Sequence, residues 1–334
     1  MTARRHIIPI FLPQWGCPYK CVYCDQYVIA ARPDYAHADV YEQIKQSLAK
    51  VSPNADQIEV AFYGGTFTAL TLELQSRLLQ TVQPFRAEGR IDSIRISTHP
   101  ACLTEASLAL LRHYGVRTVE LGVQSLDSAV LSESGRAYDA EVVAAAVLQL
   151  RQCEFAVGIQ LMPGLPGDTK AKTLATVTRT IELQPDFVRV YPTLVIAGTA
   201  LAELWQHGYY RALGLDEAVE WCQEIAKLFA AAHIPIVRMG LHPSPELEAQ
   251  ILAGPYHPAF KALVDAALAL AKIELQITTR GGELHIFCNP REISVVRGDK
   301  NANTKRLQQK YDFLRVKVQP DRALMPGAYR VVVR

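Results

Sequence analysis

Over the first 240 residues, short β-rich runs alternate with amphipathic stretches, and few folds accommodate that rhythm. Strands are predicted at Ile7–Leu12, Gln57–Tyr63, Ser93–Thr98, Arg117–Val123, Phe155–Met162 and Asp186–Tyr191. Helical patterns follow them at Val40–Val51, Leu70–Val82, Glu105–His113, Asp139–Gln152 and Thr173–Leu183, then at Thr199–His207 and Asp216–His233. The strands are nearly continuous apolar runs, which argues for a parallel sheet covered by helices. Six or seven units exceed a small doubly wound sheet and fall short of a closed eight-fold barrel. The pattern predicts an α/β chain built on a partial (β/α)6 TIM-like barrel.

The residues that follow the strands point to one site. Gly64-Gly65-Thr66, Ser97-Thr98-His99-Pro100, Gln124-Ser125, Pro163-Gly164-Leu165-Pro166-Gly167 and Pro192-Thr193 all lie just past strand C-termini. In parallel α/β folds ligands bind at that edge, because the loops converge there and backbone N–H groups point outward.

Prolines and glycines cluster between Met239 and Pro258, so the barrel is expected over 1–240, a linker over 241–256 and a small α+β domain over 257–334. In that last part a helix at His257–Lys272 and strand-like Ile273–Thr279 and Leu284–Cys288 are predicted. Helices at Arg291–Val296 and Ala302–Tyr311 and strands at Phe313–Gln319 and Ala328–Val333 follow. Charge is uneven along the chain. Ala271–Arg334 holds 13 basic and 6 acidic side chains, a balance of +7, against 22 basic and 27 acidic in the preceding 270 residues. A basic tail on an acidic body suggests a module with an anionic partner, though an uneven scatter of surface lysines gives the same count.

With 49% hydrophobic and 20% charged residues, a disordered or low-complexity polymer is excluded. No apolar run reaches the roughly 18–20 residues of a membrane helix. The N-terminal run is broken by Pro9 before a signal-peptide core develops, so a cytoplasmic protein with no membrane partner is expected.

Three of the seven cysteines lie within eight residues, as Cys17-Pro18-Tyr19-Lys20-Cys21-Val22-Tyr23-Cys24. Such clustering in a reducing compartment favours a metal or catalysis over disulfides. Cys102, Cys153, Cys222 and Cys288 are scattered singly and read as small buried hydrophobes. A structural zinc would want a fourth Cys or His, which is not nearby in sequence. A 4Fe–4S cube accepts one thiolate per iron, so three cysteines would leave one iron open for chemistry. Zinc, or a loop satisfied without metal, is the alternative.

The C-x3-C-x2-C spacing with Tyr23 before the last cysteine resembles the signature of the radical S-adenosylmethionine (radical SAM) superfamily. The resemblance implies that Cys17, Cys21 and Cys24 ligate a 4Fe–4S cluster and act catalytically. The open iron would bind S-adenosyl-L-methionine, whose reductive cleavage yields a 5′-deoxyadenosyl radical. It further implies an electron donor such as flavodoxin or ferredoxin. Tyr63-Gly64-Gly65-Thr66 resembles the glycine-rich motif that receives the methionine amino group, which places Gly64, Gly65 and Thr66 at the cofactor. Gly122-Val123-Gln124-Ser125 together with Arg136 looks like the carboxylate-binding pair of the coproporphyrinogen dehydrogenase-like branch. Met162-Pro163-Gly164-Leu165-Pro166-Gly167 resembles the loop that passes the adenine, and Gln160 takes the place of a ribose-binding carboxylate. Tyr23 is expected near adenine, Ser97 at the cofactor, and His99 and Tyr191 facing substrate.

Gly115–Ser125, Met162–Gly167 and the run Pro185–Thr199 continuing through Leu204–Tyr210 resemble the radical SAM core of the Elongator catalytic subunit. That likeness spans roughly the first 230 residues and implies modification of a tRNA base, with wobble uridine as the Elongator target. The chain departs from it at Ser97-Thr98-His99-Pro100-Ala101, where Elongator has Glu-Thr-Arg-Pro-Asp. Only about 95 residues follow the expected barrel, so an acetyltransferase domain is not expected. The tail run Val295–Tyr311 resembles the centre of a KH domain, in which a GxxG loop between two helices clamps nucleic-acid backbone. Here Asn301 replaces the second glycine, and Gly298, Lys300, Lys305, Arg306 and Lys310 are the expected RNA contacts. The competing functions are a radical SAM enzyme on a small-molecule or tetrapyrrole substrate, and a non-catalytic RNA-binding metalloprotein.

Overall fold

A computed structural model describes residues 5–26, 37–52, 56–136 and 138–334. The chain divides into two compact units, Met1–Leu213 with Leu228–Pro255, and Gly214–Lys227 with Tyr256–Arg334.

The first unit is built on seven parallel strands, β1 (Arg5–Phe11), β2 (Gln57–Tyr63), β3 (Ser93–Thr98), β4 (Val116–Gln124), β5 (Ala156–Leu161), β6 (Phe187–Val190) and β8 (Ile236–Met239), ordered β1-β2-β3-β4-β5-β6-β8. The two end strands do not pair with each other, so the sheet is a partial barrel. Helices α1 (His37–Leu48), α2 (Leu72–Ala87), α3 (Glu105–His113), α4 (Ser128–Glu133), α5 (Ala140–Gln152), α6 (Lys170–Glu182) and α7 (Ala200–Gln206) fall between strands. Short polar side chains open most of them: Thr71, Thr104, Asp127, Asp139, Thr169 and Thr199 each accept a backbone N–H from the first turn. A two-residue strand β7 (Val195–Ile196) pairs antiparallel with β9 (Ile251–Ala253), which follows α9 (Pro245–Gln250). The expected linker over 241–256 therefore contains a helix and a paired strand. Helix α8 (Leu215–Ala231) precedes β8 and begins in the second unit, which takes its residues through Lys227.

The seventh strand is absent from the sequence reading because it is four residues long and starts directly after Pro235. It pairs with β6 through Val188↔Ile236 and Val190↔Met239. Helix α2 also exceeds its expected end at Val82, running through Pro84 to Ala87.

The two faces of the sheet differ in chemistry. Val60, Phe62, Ile94, Ile96, Val119, Leu121, Ile159, Val188 and Val190 are buried on one face. The alternate positions are polar: Glu59 and Tyr63 on β2, Arg95 and Ser97 on β3, Thr118 and Glu120 on β4, Gln160 on β5 and Arg189 on β6. Glu59, Tyr63, Arg95, Thr118, Glu120 and Arg189 form one network. Arg95 donates to Glu59 from Nε at 2.9 Å and Nη2 at 2.7 Å, and from Nη1 to Glu120 at 2.5 Å. Glu120 Oε1 also accepts from Tyr63 OH (3.1 Å) and Arg189 Nη2 (3.1 Å). Gly158 leaves room for the Phe187 ring, over which the Arg95 guanidinium lies at 4.9 Å. Two carboxylates and two guanidiniums cancel in charge, so the layer tolerates burial as a set and not by parts.

The second unit carries α10 (Phe260–Glu274), β10 (Glu283–Cys288), α11 (Ile293–Arg297), α12 (Ala302–Lys310), β11 (Arg315–Pro320) and β12 (Tyr329–Val333). Its sheet is ordered β11-β10-β12, parallel between β10 and β11 and antiparallel between β10 and β12. Leu270, Ile273, Leu284, Ile286, Cys288, Val296, Leu307 and Phe313 make its core. The expected strand over Ile273–Thr279 does not form. Ile273 completes the buried stripe of α10 with Phe260, Val264, Ala266, Ala269 and Leu270, a helical spacing that outweighs the local β propensity.

Removing Glu120 from the first unit leaves Arg95 and Arg189 buried without their shared acceptor. Glu120→Ala is expected to lower unfolding free energy by about 3–5 kcal/mol, as for other broken buried ion pairs. Urea denaturation of the variant against the parent chain checks this.

Candidate active site at the C-terminal edge of the sheet

The cysteine loop leaves β1 and is sewn to the loop after β2. Leu12 N donates to Tyr63 O (2.7 Å), Gln14 N to Gly64 O (2.8 Å) and Thr66 N to Trp15 O (2.9 Å). This approach explains the glycines. A Cβ on Gly65 would lie 2.3 Å from Trp15 O, and Gly16 has a positive φ of 71° with a Cβ position 2.5 Å from Thr66 O. Further along, Val22 N donates to Ser134 O (3.2 Å) at the end of α4, and Leu201 N to Val22 O (2.8 Å). The loop is thus held from both sides by backbone.

Each thiol has a side-chain neighbour. Cys17 Sγ lies 3.4 Å from Thr66 Oγ1, Arg136 Nη1 donates to Cys21 Sγ at 3.2 Å, and Gln26 Nε2 donates to Cys24 Sγ at 3.6 Å. Burial pushes the Cys17 thiol up, with the Thr66 contact opposing it and Cys21 adding to it. Burial likewise raises Cys24 to about 12, reinforced by Cys21 and Cys17 and opposed by Gln26. Among the described residues no group of three or more His, Cys, Asp or Glu side chains is gathered to hold a single metal ion.

Arg136 is 5% exposed. Its Nη1 also reaches Tyr23 OH (3.2 Å), Nη2 donates to Gly122 O, and Nε donates to Tyr138 OH (3.1 Å). Tyr138 OH passes the chain on to Val123 O. Burial works against the guanidinium charge, but Tyr23, Tyr138 and Cys21 outweigh it and the pKa rises. None of these partners is a carboxylate. A buried cation of this kind calls for a negative neighbour.

The sequence-derived residues fall as follows. Gln124 ends β4 at a register shift with β5 and has a left-handed φ of 68°, a bulge that turns its side chain to Gln160, whose Nε2 donates to Gln124 Oε1 at 3.2 Å. Ser97 lines a recess with Leu12, Trp15, Tyr63 and Gly65. Tyr23 sits in an apolar cluster with Val130, Leu165, Leu201 and Tyr210, against which Met162 packs. Tyr191 OH accepts from Arg189 (3.3 Å) and so joins the inner network. His99 lies against the rings of Tyr19 (5.0 Å) and Tyr138 (4.8 Å). Its Nδ1 accepts from Ala101 N (3.1 Å), and burial, with Arg136 nearby, lowers its pKa to about 3. In the second unit Lys300, Lys305 and Arg306 are exposed around α12. Lys310 instead pairs with Glu274 at 2.9 Å. Asn301 and Lys300 both adopt positive φ, the geometry asked of a glycine-type loop.

Sequence reasoning missed the Glu59–Arg95–Glu120–Arg189 network, Gln26 and Tyr138. A charged residue in the middle of each of four apolar strands was the available signal for the first.

The donor set suits a thiolate-bound iron–sulfur centre. Three cysteine thiols on one loop, each beside a polar side chain, and a buried guanidinium in contact with one of them fit a centre bearing anionic sulfur. Fold and site together define a partial-barrel enzyme with its reactive loop at the sheet edge. The sequence matches the Radical SAM superfamily over residues 12–179, half of the chain, and the Radical_SAM C-terminal domain over residues 185–269. The chain belongs to the radical SAM superfamily. The tRNA uridine(34) acetyltransferase of Methanocaldococcus infernus is 28% identical over 254 residues, covering 64% of this chain and 48% of that protein. Elongator complex protein 3 of Homo sapiens is 28% identical over 207 residues, covering 56% of this chain and 37% of that one. The chain thus spans about half, or less, of the length of these relatives. In structure it is similar to the archaeal Methanocaldococcus infernus Elp3 with an N-terminal deletion, at a TM-score of 0.63 and 23% identity, over 84% of this chain and 66% of that one. Coproporphyrinogen III oxidase of Escherichia coli shares the fold at a TM-score of 0.50 and 20% identity, over 69% and 53% of the two chains. Among the described residues no helix is long and apolar enough to cross a membrane.

The depressed His99 pKa has a consequence for stability. Between about pH 3 and the ordinary histidine pKa near 6.5, the unfolded chain binds a proton that the folded one excludes, so stability falls as pH drops through that window. Replacing His99 with Phe keeps a ring between Tyr19 and Tyr138 and removes the proton. The variant should lose less stability than the parent between pH 6.5 and pH 4, by up to about 1.4 kcal/mol per pH unit. Urea denaturation at both pH values checks this, and parallel curves for the two proteins would contradict it.

Proposed function

We propose that the chain is a cytoplasmic radical SAM enzyme that modifies a base of tRNA. The carrying observation is the cysteine loop held between the Gly64–Thr66 loop and α4, with the Arg136 guanidinium buried against Cys21. Cys17, Cys21 and Cys24 would hold a 4Fe–4S cluster, and Gly64, Gly65, Thr66, Ser97, Gln124, Gln160 and Met162 line the place for S-adenosylmethionine. When bound, that pair supplies a 5′-deoxyadenosyl radical on receipt of an electron from a reductant such as flavodoxin or ferredoxin.

The rest is the work of the chain's own side chains. The backbone contacts of Gly65 and Gly16 fix the loop close to the sheet. Tyr23 and its apolar neighbours pack against Cys21 and Cys24 and limit water there, and Arg136 orients Cys21 and Tyr23 together. The inner face offers hydrogen-bonding groups in place of a greasy wall, which suits a polar base that has left its stack.

The tRNA assignment is supported by relatives named for tRNA uridine(34) and by the basic second unit, a KH-like module in this reading. There Gly298, Lys300, Lys305 and Arg306 meet the phosphate backbone, while Lys310 is tied to Glu274. Uridine at the wobble position is the favoured target, and the group installed there is not assigned.

Two measurements test the reading. Anaerobically reconstituted protein given dithionite and S-adenosylmethionine should release 5′-deoxyadenosine, and Cys21→Ala should abolish that release with an unchanged circular dichroism spectrum. Reversing Lys305 and Arg306 to Glu should weaken tRNA binding about tenfold or more at low salt and flatten its salt dependence. Unchanged tRNA affinity in the reversed variant would remove the tail from the RNA site.

A further inference from the structure

The three cysteine sulfurs share one feature: each meets its own polar side chain, and the three side chains come from three separate places. Thr66 follows β2 and meets Cys17 at 3.4 Å. Arg136 follows α4 and meets Cys21 at 3.2 Å. Gln26 follows the triad itself and meets Cys24 at 3.6 Å. The Thr66 side chain does not cap the short helical turn that follows it, and its hydroxyl lies against Cys17 instead. Arg136 is anchored through Gly122 O and Tyr138, which prevents its fork from swinging away from Cys21.

Hydrogen bonds to cluster sulfur, and positive charge beside it, stabilise the more electron-rich state of an iron–sulfur centre and so raise its reduction potential. Resting on the assignment of these cysteines as cluster ligands, we propose that Thr66, Arg136 and Gln26 form a donor cage that sets the reduction potential of the cluster, Arg136 contributing most. The ranking follows from chemistry. Arg136 is the one charged member, is 5% exposed and so poorly screened, and has the shortest contact to sulfur. Thr66 is buried but neutral. Gln26 is neutral and only half-buried, at the longest distance.

These are positioning residues in this role, because they act on the sulfur and not on the substrate. A purely structural role for the same contacts would change stability or iron content and leave the midpoint potential alone. A redox role moves the potential with the cluster intact.

The test is an EPR-monitored redox titration of the reconstituted full chain without S-adenosylmethionine, comparing the parent with Thr66→Val, Gln26→Leu and Arg136→Gln. Thr66→Val removes one oxygen from a nearly isosteric side chain, and Gln26→Leu changes a half-buried position, so both keep the question open to measurement if Arg136→Gln fails to fold. At the parent's midpoint, Arg136→Gln is expected to shift the reduced-to-oxidised ratio about tenfold or more toward oxidised, equivalent to about 59 mV for one electron. Thr66→Val and Gln26→Leu should shift it in the same direction by a smaller factor, Thr66→Val by the larger of the two. Variants that bind the parental amount of iron and sulfide yet titrate at the parent's potential would overturn the cage. A parent chain that assembles no four-iron centre would instead overturn the cluster assignment, and this inference with it.

Discussion

A guanidinium withdrawn from water beside a cysteine sulfur is the constraint to which the rest of this site answers. Burying Arg136 is costly unless every donor finds an acceptor and some negative charge lies near. The acceptors come from Gly122 O at the end of β4, from Tyr138, and from Tyr23 and Cys21 in the cysteine loop. One side chain thus ties the sheet edge to the reactive loop. Cys17 and Cys24 resist ionisation through burial and the neighbouring Cys21. A bound iron–sulfur centre would resolve both problems at once, since iron stabilises the thiolates and the thiolates balance the arginine.

Beneath that edge lies a second charged layer, and the two are linked through one residue. Glu59, Arg95, Glu120 and Arg189 neutralise one another on the inner face of the sheet, and Tyr63 joins them through Glu120. Tyr63 is also the last residue of β2, and its carbonyl receives the N–H of Leu12 at the start of the cysteine loop. Burial, followed by the Glu120 charge, pushes its phenol well above the usual range, so it remains a protonated donor. The inner network therefore fixes the direction in which the glycine loop leaves the sheet. Buried ion pairs contribute little net stability in general, and geometric specification is their better-attested use.

Most of the partial barrel was legible because its strands and helices are short, regular and punctuated. The strand at 57–63 and the helix at 105–113 agree with their sequence limits to the residue. The glycine and proline clusters after strands are visible in a linear string, since they need only residue type and spacing. The failures have a common cause in tertiary context. Ile273 looks like the start of a strand until the buried stripe of α10 claims it. The strand at 236–239 is too short to show a period, and the sheet edge of β6 completes it. Gln26, Tyr138 and the inner ion network depend on which distant residues meet, a property that spacing along one chain does not carry. Lys310 looks like a free phosphate contact until Glu274, 36 positions away, is found beside it.

The central claim is that three cysteines leave one corner of a cubane available to a small molecule. Mössbauer spectroscopy of anaerobically reconstituted protein, before and after addition of S-adenosylmethionine, reads that corner directly. The expected spectrum is that of a four-iron cluster in which a single iron changes on addition while the other three do not. A spectrum with no cubane, or one in which all four irons stay indifferent to S-adenosylmethionine, would contradict it.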